Sequence, residues 1–401
     1  MRILIHDYAG HPFPVQLSRE LARRGHSVVH AYASLLLTPR GTLERSESDP
    51  PGLEFRSVPM HPGYPKNKYN FVSRLGYERA YGGELSKLAS RLHPDVILSG
   101  QTPSEPQLTF LRASQRLGIP MITWVQDFYS MAVEKLARRK LPFIGVIAGA
   151  WYRRFDAICL RESAAIVAIT EDFVPVLATF DVEPARISVI PNWASLEDIS
   201  PQPRSNDWSL AQGLCDKFVF LYSGTLAMKH NPDLLLVLAR RFRDIPSVRV
   251  VVVSEGPGAD YLSGRKAAER LDNLVLLPFQ MFSEMPNVLG SADIVVAILE
   301  EEAGVFSVPS KVLTYHAAGK PILGAMPKSN LAARILVQEG SGVCVEPRDT
   351  SGFALEAEAL FKDEPRRLQM AVKARAYADR EFNIIAITDR FEAIFKQVTK
   401  E

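Results

Sequence analysis

The chain of 401 residues is long for a single core and suits two domains of common size. Hydrophobic residues make up 47% and charged residues 23% of it, which excludes a mainly disordered chain. Lys and Arg number 47 against 45 Asp and Glu, so the formal net charge of +2 gives no overall field that would point to nucleic acid.

The first half of the chain alternates predicted strands with predicted helices. Residues 2–6 form a strand, residues 15–24 a helix that ends at Gly25, and residues 27–32 a second strand, which together make a βαβ unit. The same alternation continues with a helix at 107–117 and strands at 95–98, 120–125, 165–169 and 187–190. This pattern predicts a parallel sheet with helices on both faces.

After a polar stretch at residues 196–207, which contains Pro201 and Pro203 and is typical of a linker, the alternation restarts. Helices are predicted at 233–242 and 310–318, and strands at 218–222, 248–253, 274–277, 293–297 and 321–323. The predicted domains are therefore 1–200 and 207–380, two doubly wound α/β halves with ligands expected beyond the strand ends, in a cleft between the halves. A last amphipathic helix within 381–401 either caps the second domain or packs back toward the first.

Cysteines and long apolar runs give little reason to expect a secreted or membrane-spanning protein. Cys159, Cys215 and Cys344 lie far apart and form no C-x-x-C pair, so we expect a reducing compartment and neither a disulfide framework nor a zinc site. The N-terminus lacks the apolar run of a secretory signal, and no run of about 18 uncharged apolar residues occurs. These features predict a protein that is soluble or peripheral to a membrane.

Three loops at strand ends in the second half combine small residues with groups that suit a ligand. In the first loop, 222–232, Gly224 is followed by Lys229 before a helix, where a cation suits a phosphate unless it is simply solvated. The second loop, 253–258, is a tight turn that either contacts a ligand or only connects two elements. In the third loop, 277–282, backbone groups and Phe279 would face a nucleotide base, unless its apolar residues merely pack.

The fourth loop, 300–321, is the most informative. Small residues lead into a helix predicted to begin near Pro309, a favoured first helical position, with Ser307 or Ser310 as its cap. Free amides at residues 305–308 would donate hydrogen bonds to an anion. The three glutamates at 300–302 form either a catalytic carboxylate pair or a solvated acidic loop, and the second is favoured.

Four segments resemble those of a known family: Ser-Gly-Thr-Leu-Ala-Met-Lys from Ser223, Glu-Gly-Pro from Glu255, Ile-Pro-Asn-Trp from Ile190, and Pro-Ser-Lys-Val-Leu-Thr-Tyr-His-Ala-Ala-Gly-Lys-Pro-Ile from Pro309. They are similar to those of family-four glycosyltransferases of the GT-B fold, and most of all to bacterial exopolysaccharide and O-antigen transferases of the fucosamine/colanic-acid type. The resemblance implies two Rossmann-like domains facing across a cleft. It also implies transfer of a hexosyl or N-acetylaminosugar group, with retention, from a UDP- or GDP-sugar to a growing, lipid-linked surface polysaccharide, with no further cofactor.

The resemblance also assigns site residues, with some departures from the family pattern. The family's Arg-x4-Lys pair falls on Thr225 and either Lys229 or His230, with Lys229 favoured by the subgroup pattern. One cation is therefore missing, and Lys311 would compensate for it. Lys229, Gln126 and Asp127 take the catalytic positions, with Gln126 in place of a frequent histidine. Gly10 and His11 take the acceptor side. The donor-binding positions are Gly224, Thr225, His230, Glu255, Phe279, Gln280, Met281, Val305, Phe306, Ser307, Val308, Ser310, Lys311 and Thr314.

Other departures leave two alternatives open. The two glutamates that many family members carry in the fourth loop are Phe306 and Thr314 here, which suggests a nucleotide-sugar-binding protein without transfer activity. A UDP-sugar 2-epimerase of the same fold is the other alternative, although the Pro-Ser-Lys segment argues against it. Because no Asp-x-Asp occurs, we expect a clamp of cations and helix amides on the diphosphate, with no metal ion.

Residues 135–154 of the first domain place an apolar centre between basic ends. The centre contains Leu141, Phe143, Ile144, Val146, Ile147 and Trp151, and the ends carry Arg138, Arg139, Lys140, Arg153 and Arg154. The segment is too short to span a bilayer but suits insertion into an anionic interface, with a buried helix as the alternative. Given a lipid-linked acceptor, we expect a cytoplasmic protein that is peripheral on the inner face of the cytoplasmic membrane.

Overall fold

The computed structural model describes residues 1–35, 40–64, 71–100, 102–131, 133–134, 142–299 and 309–400, with the backbone alone at 71–72, 142–145, 148 and 229. The chain divides into two compact units: Met1–Asn192 with Ile384–Glu401, and Trp193–Asn383. The first unit thus ends before residue 200, where the sequence placed the boundary. Each unit is a Rossmann-like α/β domain, which confirms the predicted fold class.

The first unit is built on a parallel sheet with the strand order β3-β2-β1-β4-β5-β6-β7. Leu4 of the central strand β1 lies opposite Val29 of β2 and Ile97 of β4, and all three are buried. The strand order reverses between β1 and β4, which is where open α/β sheets bind their ligands. The strands are β1 Arg2–Asp7, β2 Ser27–Ala33, β3 Leu53–Val58, β4 Val96–Gly100, β5 Met121–Val125, β6 Ala165–Ala168 and β7 Ile187–Val189.

Two helices of the first unit, Phe71–Leu92 and Phe173–Ala178, were not predicted from the sequence. The helix Phe71–Leu92 contains Gly76, Gly82 and Gly83, which weaken the helical signal of its sequence. Gly82 has a packing role, because a Cβ there would lie 2.9 Å from the Cα of Pro106 in a neighbouring helix. The helices described in this unit are Pro12–Arg23, Phe71–Leu92, Ser104–Arg116, Pro142–Glu162, Phe173–Ala178 and Ile384–Val398.

The last helix, Ile384–Val398, belongs to the first unit and does not cap the second. Its Phe391 is fully buried, with the ring centroid 5.0 Å from that of Trp124 in β5. Arg24 Nη1 lies 2.6 Å from Asp389 Oδ1, and His26 Nε2 lies 2.8 Å from Glu392 Oε1. Aromatic burial and ion pairs therefore fix the end of the chain onto the domain in which it began.

The second unit repeats the same topology, with the strand order β10-β9-β8-β11-β12-β13, all parallel. Its strands are β8 Phe218–Ser223, β9 Val248–Val253, β10 Leu274–Leu277, β11 Ile294–Ile298, β12 Ile322–Ala325 and β13 Gly342–Val345. Its helices are Asp207–Ala211, Asp233–Arg241, Pro257–Glu269, Met285–Gly290, Ser310–Ala317, Leu331–Glu339, Thr350–Lys362 and Glu364–Glu381. Here the strand order reverses between β8 and β11.

The polar stretch predicted to be a linker is a packed part of the second unit. Asn206 caps the helix Asp207–Ala211, and its side chain and that of Ser209 each bond the other's backbone N–H at 2.9 Å. Arg204 Nε donates to Asp293 Oδ1 at 2.9 Å. The polar composition that suggested a linker thus reflects a helix cap and an ion pair.

Two further observations concern the described residues alone. No helix among them combines the length and the apolar character needed to cross a membrane. Cys159, Cys215 and Cys344 are free thiols.

Candidate functional site

In the second unit, β8 leads into a turn at the point where the strand order reverses. Gly224 has φ +125°, a conformation that side chains rarely adopt, and its N–H donates to the carbonyl of Val253 at 3.0 Å. A Cβ at Gly224 would lie 3.6 Å from Cε and 3.7 Å from Nζ of Lys311. The structure thus brings together two residues of the first and fourth predicted loops.

Lys311, which lies beside this turn, is an unusual basic residue. Its Nζ is buried 3.6 Å from the ring centroid of Tyr222 and has no hydrogen-bond partner in the described part of the chain. Burial lowers the pKa of Lys311 to about 7. Lys320, also buried, donates instead to the carbonyls of Gly290 at 2.7 Å and Ala292 at 3.0 Å. Among the described residues, Lys311 therefore has neither the acceptor nor the counter-charge that a buried amine requires.

The helix Ser310–Ala317 adds backbone donors beside this lysine. The helix begins next to Pro309, as predicted, with Pro309 at the N-cap position. Ser310 is therefore not the cap, Ser307 lies outside the described residues, and no described side chain caps the helix. An uncapped helix N-terminus attracts anions. Tyr315 holds the helix against the sheet, because its hydroxyl accepts from the N–H of Ser223 at 3.1 Å and lies 3.3 Å from the carbonyl of Val296.

Two other predicted residues of the first loop, Thr225 and His230, make hydrogen bonds within that loop. Thr225 is exposed, and its carbonyl accepts the hydroxyl of Tyr222 at 2.8 Å. His230 is half-buried, and its Nδ1 accepts from the N–H of Ala227 at 3.1 Å. The side chain of Lys229 lies outside the described residues, so its catalytic role stays a prediction.

Close packing leaves no room for a side chain at Gly258 of the second loop. A Cβ at Gly258 would lie 2.5 Å from the carbonyl oxygen of Leu226, which accepts from the Gly258 N–H at 2.9 Å. The second loop is therefore pressed against the first. Glu255, the predicted donor ligand there, is exposed, and its Oε1 accepts from the N–H of Phe279 at 3.4 Å.

In the third loop, the side chain of Gln280 is already engaged. Its Oε1 accepts from Trp208 Nε1 at 3.0 Å, and its Nε2 donates to the carbonyl of Pro278 at 2.9 Å. This amide orients the loop and is not available to a ligand without breaking those bonds. Phe279 is half-buried and Met281 is 75% exposed.

Several predicted donor residues of the fourth loop lie outside the described residues: Val305, Phe306, Ser307, Val308 and the glutamates at 300–302. Ser310 and Thr314 are described, the first exposed and the second half-buried on the helix that carries Lys311. The predictions for all of these positions stay open.

In the first unit, Asp7 at the end of β1 organises the predicted acceptor loop. Its carboxylate accepts from the N–H of Ala9 at 3.3 Å, from the N–H of His11, and from Nδ1 of His11 at 3.3 Å. Burial opposes its ionisation, but the charge and hydrogen bonds of His11 outweigh burial and lower the pKa of Asp7. Gly10 allows the turn, with φ +76°.

Gln126, which was predicted at a catalytic position, pairs with Asn192. Gln126 Nε2 donates to Asn192 Oδ1 at 3.2 Å, and Asn192 Nδ2 donates back to Gln126 Oε1 at 2.5 Å. Asp127 next to it is exposed. Both residues line a small cavity of about 50 Å³ that also includes Tyr129 and Asp156. The paired amide gives Gln126 a positioning role in the loop after β5.

A buried polar cluster in the first unit escaped the sequence analysis. Arg74 Nε lies 3.3 Å from Glu78 Oε1, which also accepts from the hydroxyl of Tyr64 at 3.3 Å. Burial raises the pKa of Glu78 to about 7, although Arg74 opposes the shift. The spacing of Arg74 and Glu78, four residues apart on one helix, was the available signal.

The arrangement of the His, Cys, Asp and Glu side chains bears on metal binding. Within the ranges that the structure describes, no group of three His, Cys, Asp or Glu side chains is placed to hold a metal ion. The expectation of a metal-free reaction stays a prediction.

Comparison with known proteins gives consistent results for the two units. The family models "Glycosyl transferase 4-like domain" and "Glycosyl transferases group 1" match residues 12–193 and 211–377. The probable glycosyltransferase WbjE of Pseudomonas aeruginosa is 24% identical over 301 residues, 73% of each chain. The UDP-Gal:alpha-D-GlcNAc-diphosphoundecaprenol alpha-1,3-galactosyltransferase of Escherichia coli is 24% identical over 71% of this chain and 70% of its own.

A solved structure shares the fold of the whole chain. The crystal structure of Anabaena HepE in complex with UDP and glucose superposes with a TM-score of 0.71 and covers 99% of this chain and 100% of its own. The sequence identity is 14%, so this likeness concerns the fold.

Replacing Lys311 by Met should stabilise the ligand-free protein. The change removes an unpartnered buried amine and keeps an apolar side chain of similar length, so we expect a gain of about 1–3 kcal/mol. Because the folded-state pKa is below that of an unfolded lysine, the gain is full below pH 7. It shrinks as the pH rises toward the ordinary lysine pKa of about 10.4. Thermal unfolding at pH 6.5 and 9.5 measures both effects.

Lys320→Met is the matched control, because it removes a buried amine that donates to two carbonyls and should lower the melting temperature. Equal destabilisation by Lys311→Met would mean that the Lys311 amine is satisfied in the folded protein.

Proposed function

The chain belongs to the family-four glycosyltransferases of the GT-B fold, and we propose that it is a retaining transferase that moves a sugar from a nucleoside-diphosphate donor to a lipid-linked surface polysaccharide. Its two family models cover both units, and its curated relatives are bacterial glycosyltransferases. The use of a nucleotide-sugar donor follows from the family. Retention, the acceptor and the residues that carry the reaction are the proposal.

The unpartnered amine of Lys311 is the observation that carries the proposed donor site. Transfer leaves a nucleoside diphosphate, whose growing negative charge must be stabilised in the transition state. Lys311 and the uncapped N-terminus of the helix Ser310–Ala317 offer a cation and backbone donors beside Gly224, where a missing side chain leaves room. We assign the diphosphate to this position, with Lys229 as the second cation.

We place acceptor binding on the loop Gly10–His11 of the first unit, beside Gln126 and Asp127. The bond between His11 Nδ1 and Asp7 fixes the imidazole and leaves Nε2 as the nitrogen that an acceptor hydroxyl would meet. Family resemblance implies that the leaving phosphate takes the acceptor proton. No carboxylate pair is then required.

A lipid-linked acceptor is supported by two independent features. The Escherichia coli relative is named for a diphosphoundecaprenol-linked acceptor. In this chain, Val146, Ile147 and Trp151 of the helix Pro142–Glu162 are 46%, 71% and 51% exposed, whereas Tyr152 is buried. The alternative of a fully buried helix is therefore wrong for these three residues. An exposed apolar stripe of this kind suits the interface of a membrane.

The basic ends of this segment contribute unequally. Arg154 is exposed, but Arg153 donates to the carbonyl of Thr179 at 3.1 Å and lies 4.5 Å from the ring centroid of Phe180. Arg138, Arg139, Lys140 and Leu141 lie outside the described residues, as do the side chains of Phe143 and Ile144. Among the described residues, the face of this helix that we propose to contact a membrane is thus mainly apolar.

A panel of UDP- and GDP-sugars tests the proposed reaction. The parent protein should release UDP or GDP and form a glycoside, and Lys229→Ala should lower kcat/KM by about 10²-fold, the scale of one lost transition-state charge contact. Epimerised donor, or donor binding without turnover, would support the two alternative functions instead. Unchanged kinetics in Lys229→Ala would remove that residue from the site.

The same assay tests metal independence and retention. Transfer should persist in excess EDTA, because the proposed clamp consists of lysines and helix amides. Loss of activity that magnesium or manganese restores would contradict the clamp. The anomeric configuration of the product, read by proton NMR, should match that of the donor.

Liposome sedimentation tests the membrane surface. The parent should bind vesicles that contain anionic lipid, with weaker binding at high salt, because surface attraction is screened. Changing Ile147 and Trp151 to Ser should abolish binding without unfolding, since both side chains are exposed. Leu210→Ser, which changes a 70% exposed apolar residue of the second unit, is the control. A parent that does not bind would point to a water-soluble acceptor.

A further inference from the structure

Lys311 differs from Lys320 of the same unit in having no group among the described residues to balance its charge. Its pKa is lowered by burial alone, whereas that of Lys320 is also affected by Asp293 and Arg204. The titratable groups next to Lys311 are Tyr222, whose ring it faces, and Tyr315 beside that ring. Burial raises the pKa of both tyrosines, so both are neutral near pH 7. Among the described residues, nothing supplies a negative charge to the amine.

The geometry favours the protonated form of the Lys311 amine only when an anion is bound next to it. The face of Tyr222 gives weak stabilisation to a cation, and Gly224, which has no side chain of its own, lies close to the amine. A diphosphate that meets this amine brings the opposite charge within hydrogen-bonding reach, and a nearby opposite charge favours the charged form.

We propose that binding of a nucleoside diphosphate in the second unit is coupled to the uptake of one proton by the Lys311 amine. This inference rests on the proposed donor site. Above pH 7, the Lys311 amine would be largely neutral in the empty site. When the site is occupied, the amine would be an ammonium paired with the diphosphate. The coupling avoids a permanent buried charge in the empty site and makes recognition specific for the anionic part of the donor.

The sign of the pH dependence follows from linkage. Well below pH 7 the amine is already protonated, so Lys311 takes up nothing on binding. Above pH 7, and up to the higher pKa of the ligand-bound amine, binding must take a proton from solution. The affinity therefore falls by up to about tenfold per pH unit in that range.

Isothermal titration of UDP and GDP into the full-length protein tests the coupling. At pH 8, titrations in two buffers of different ionisation enthalpy give the number of protons taken up, which should approach one per nucleotide bound. Uridine and guanosine, which lack the diphosphate, should cause no uptake. Lys311→Arg keeps a permanent charge and should abolish both the uptake and the steep pH dependence.

Lys320→Arg is the matched control, because burial also lowers the pKa of Lys320 in the same unit. The uptake should survive this change. Binding without uptake in the parent, or uptake that persists in Lys311→Arg, would overturn the coupling and leave the donor site intact. Failure of the parent to bind either nucleotide at any pH would instead reject the proposed donor site, and the coupling with it.

Discussion

Both units depend on one constraint, which is that a parallel sheet must be covered on both faces. Leu4 in β1 and Val250 in β9 are fully buried in such sheets. Covering each face requires helices between the strands, and the helix Ile384–Val398 completes this cover for the first unit. The loops at the carboxyl ends lie outside the strands of that core, although Leu226 of the first loop packs into it. They are therefore free to hold polar groups, and the candidate site residues lie there.

The same constraint explains which parts of the fold could be predicted. The strand Val248–Val253 was predicted with its observed bounds, because a strand buried on both faces reads as a continuous apolar run. The edge strand Leu53–Val58 mixes polar and apolar residues, and the helix Phe71–Leu92 contains three glycines, so neither gave a clear pattern. The final helix was predicted as an element. Its partner was not, because it packs on residues far away in sequence.

The candidate site shows a similar division. Motif residues such as Gly224 and Lys311 were found from the sequence, because loop composition and family resemblance are local signals. Hydrogen bonds between side chains far apart in sequence could not be predicted in this way. The bond between Gln280 and Trp208 joins residues 72 positions apart, and it engages the side chain of a predicted donor-binding residue within the protein. The lack of a partner at Lys311 is likewise a property of the folded unit.

Charge is handled differently in the two units, and this difference carries the functional argument. In the first unit, Asp7 is paired with His11, which lowers the pKa of Asp7, and Glu78 has Arg74 as a counter-charge, although burial still raises the pKa of Glu78 to about 7. In the second unit, Lys311 is buried without an opposite charge in the described structure. A buried amine without a partner costs stability, and folding alone gives no reason to keep it. An anionic ligand would provide the missing charge, and the nucleoside diphosphate of a glycosyl donor has the required chemistry.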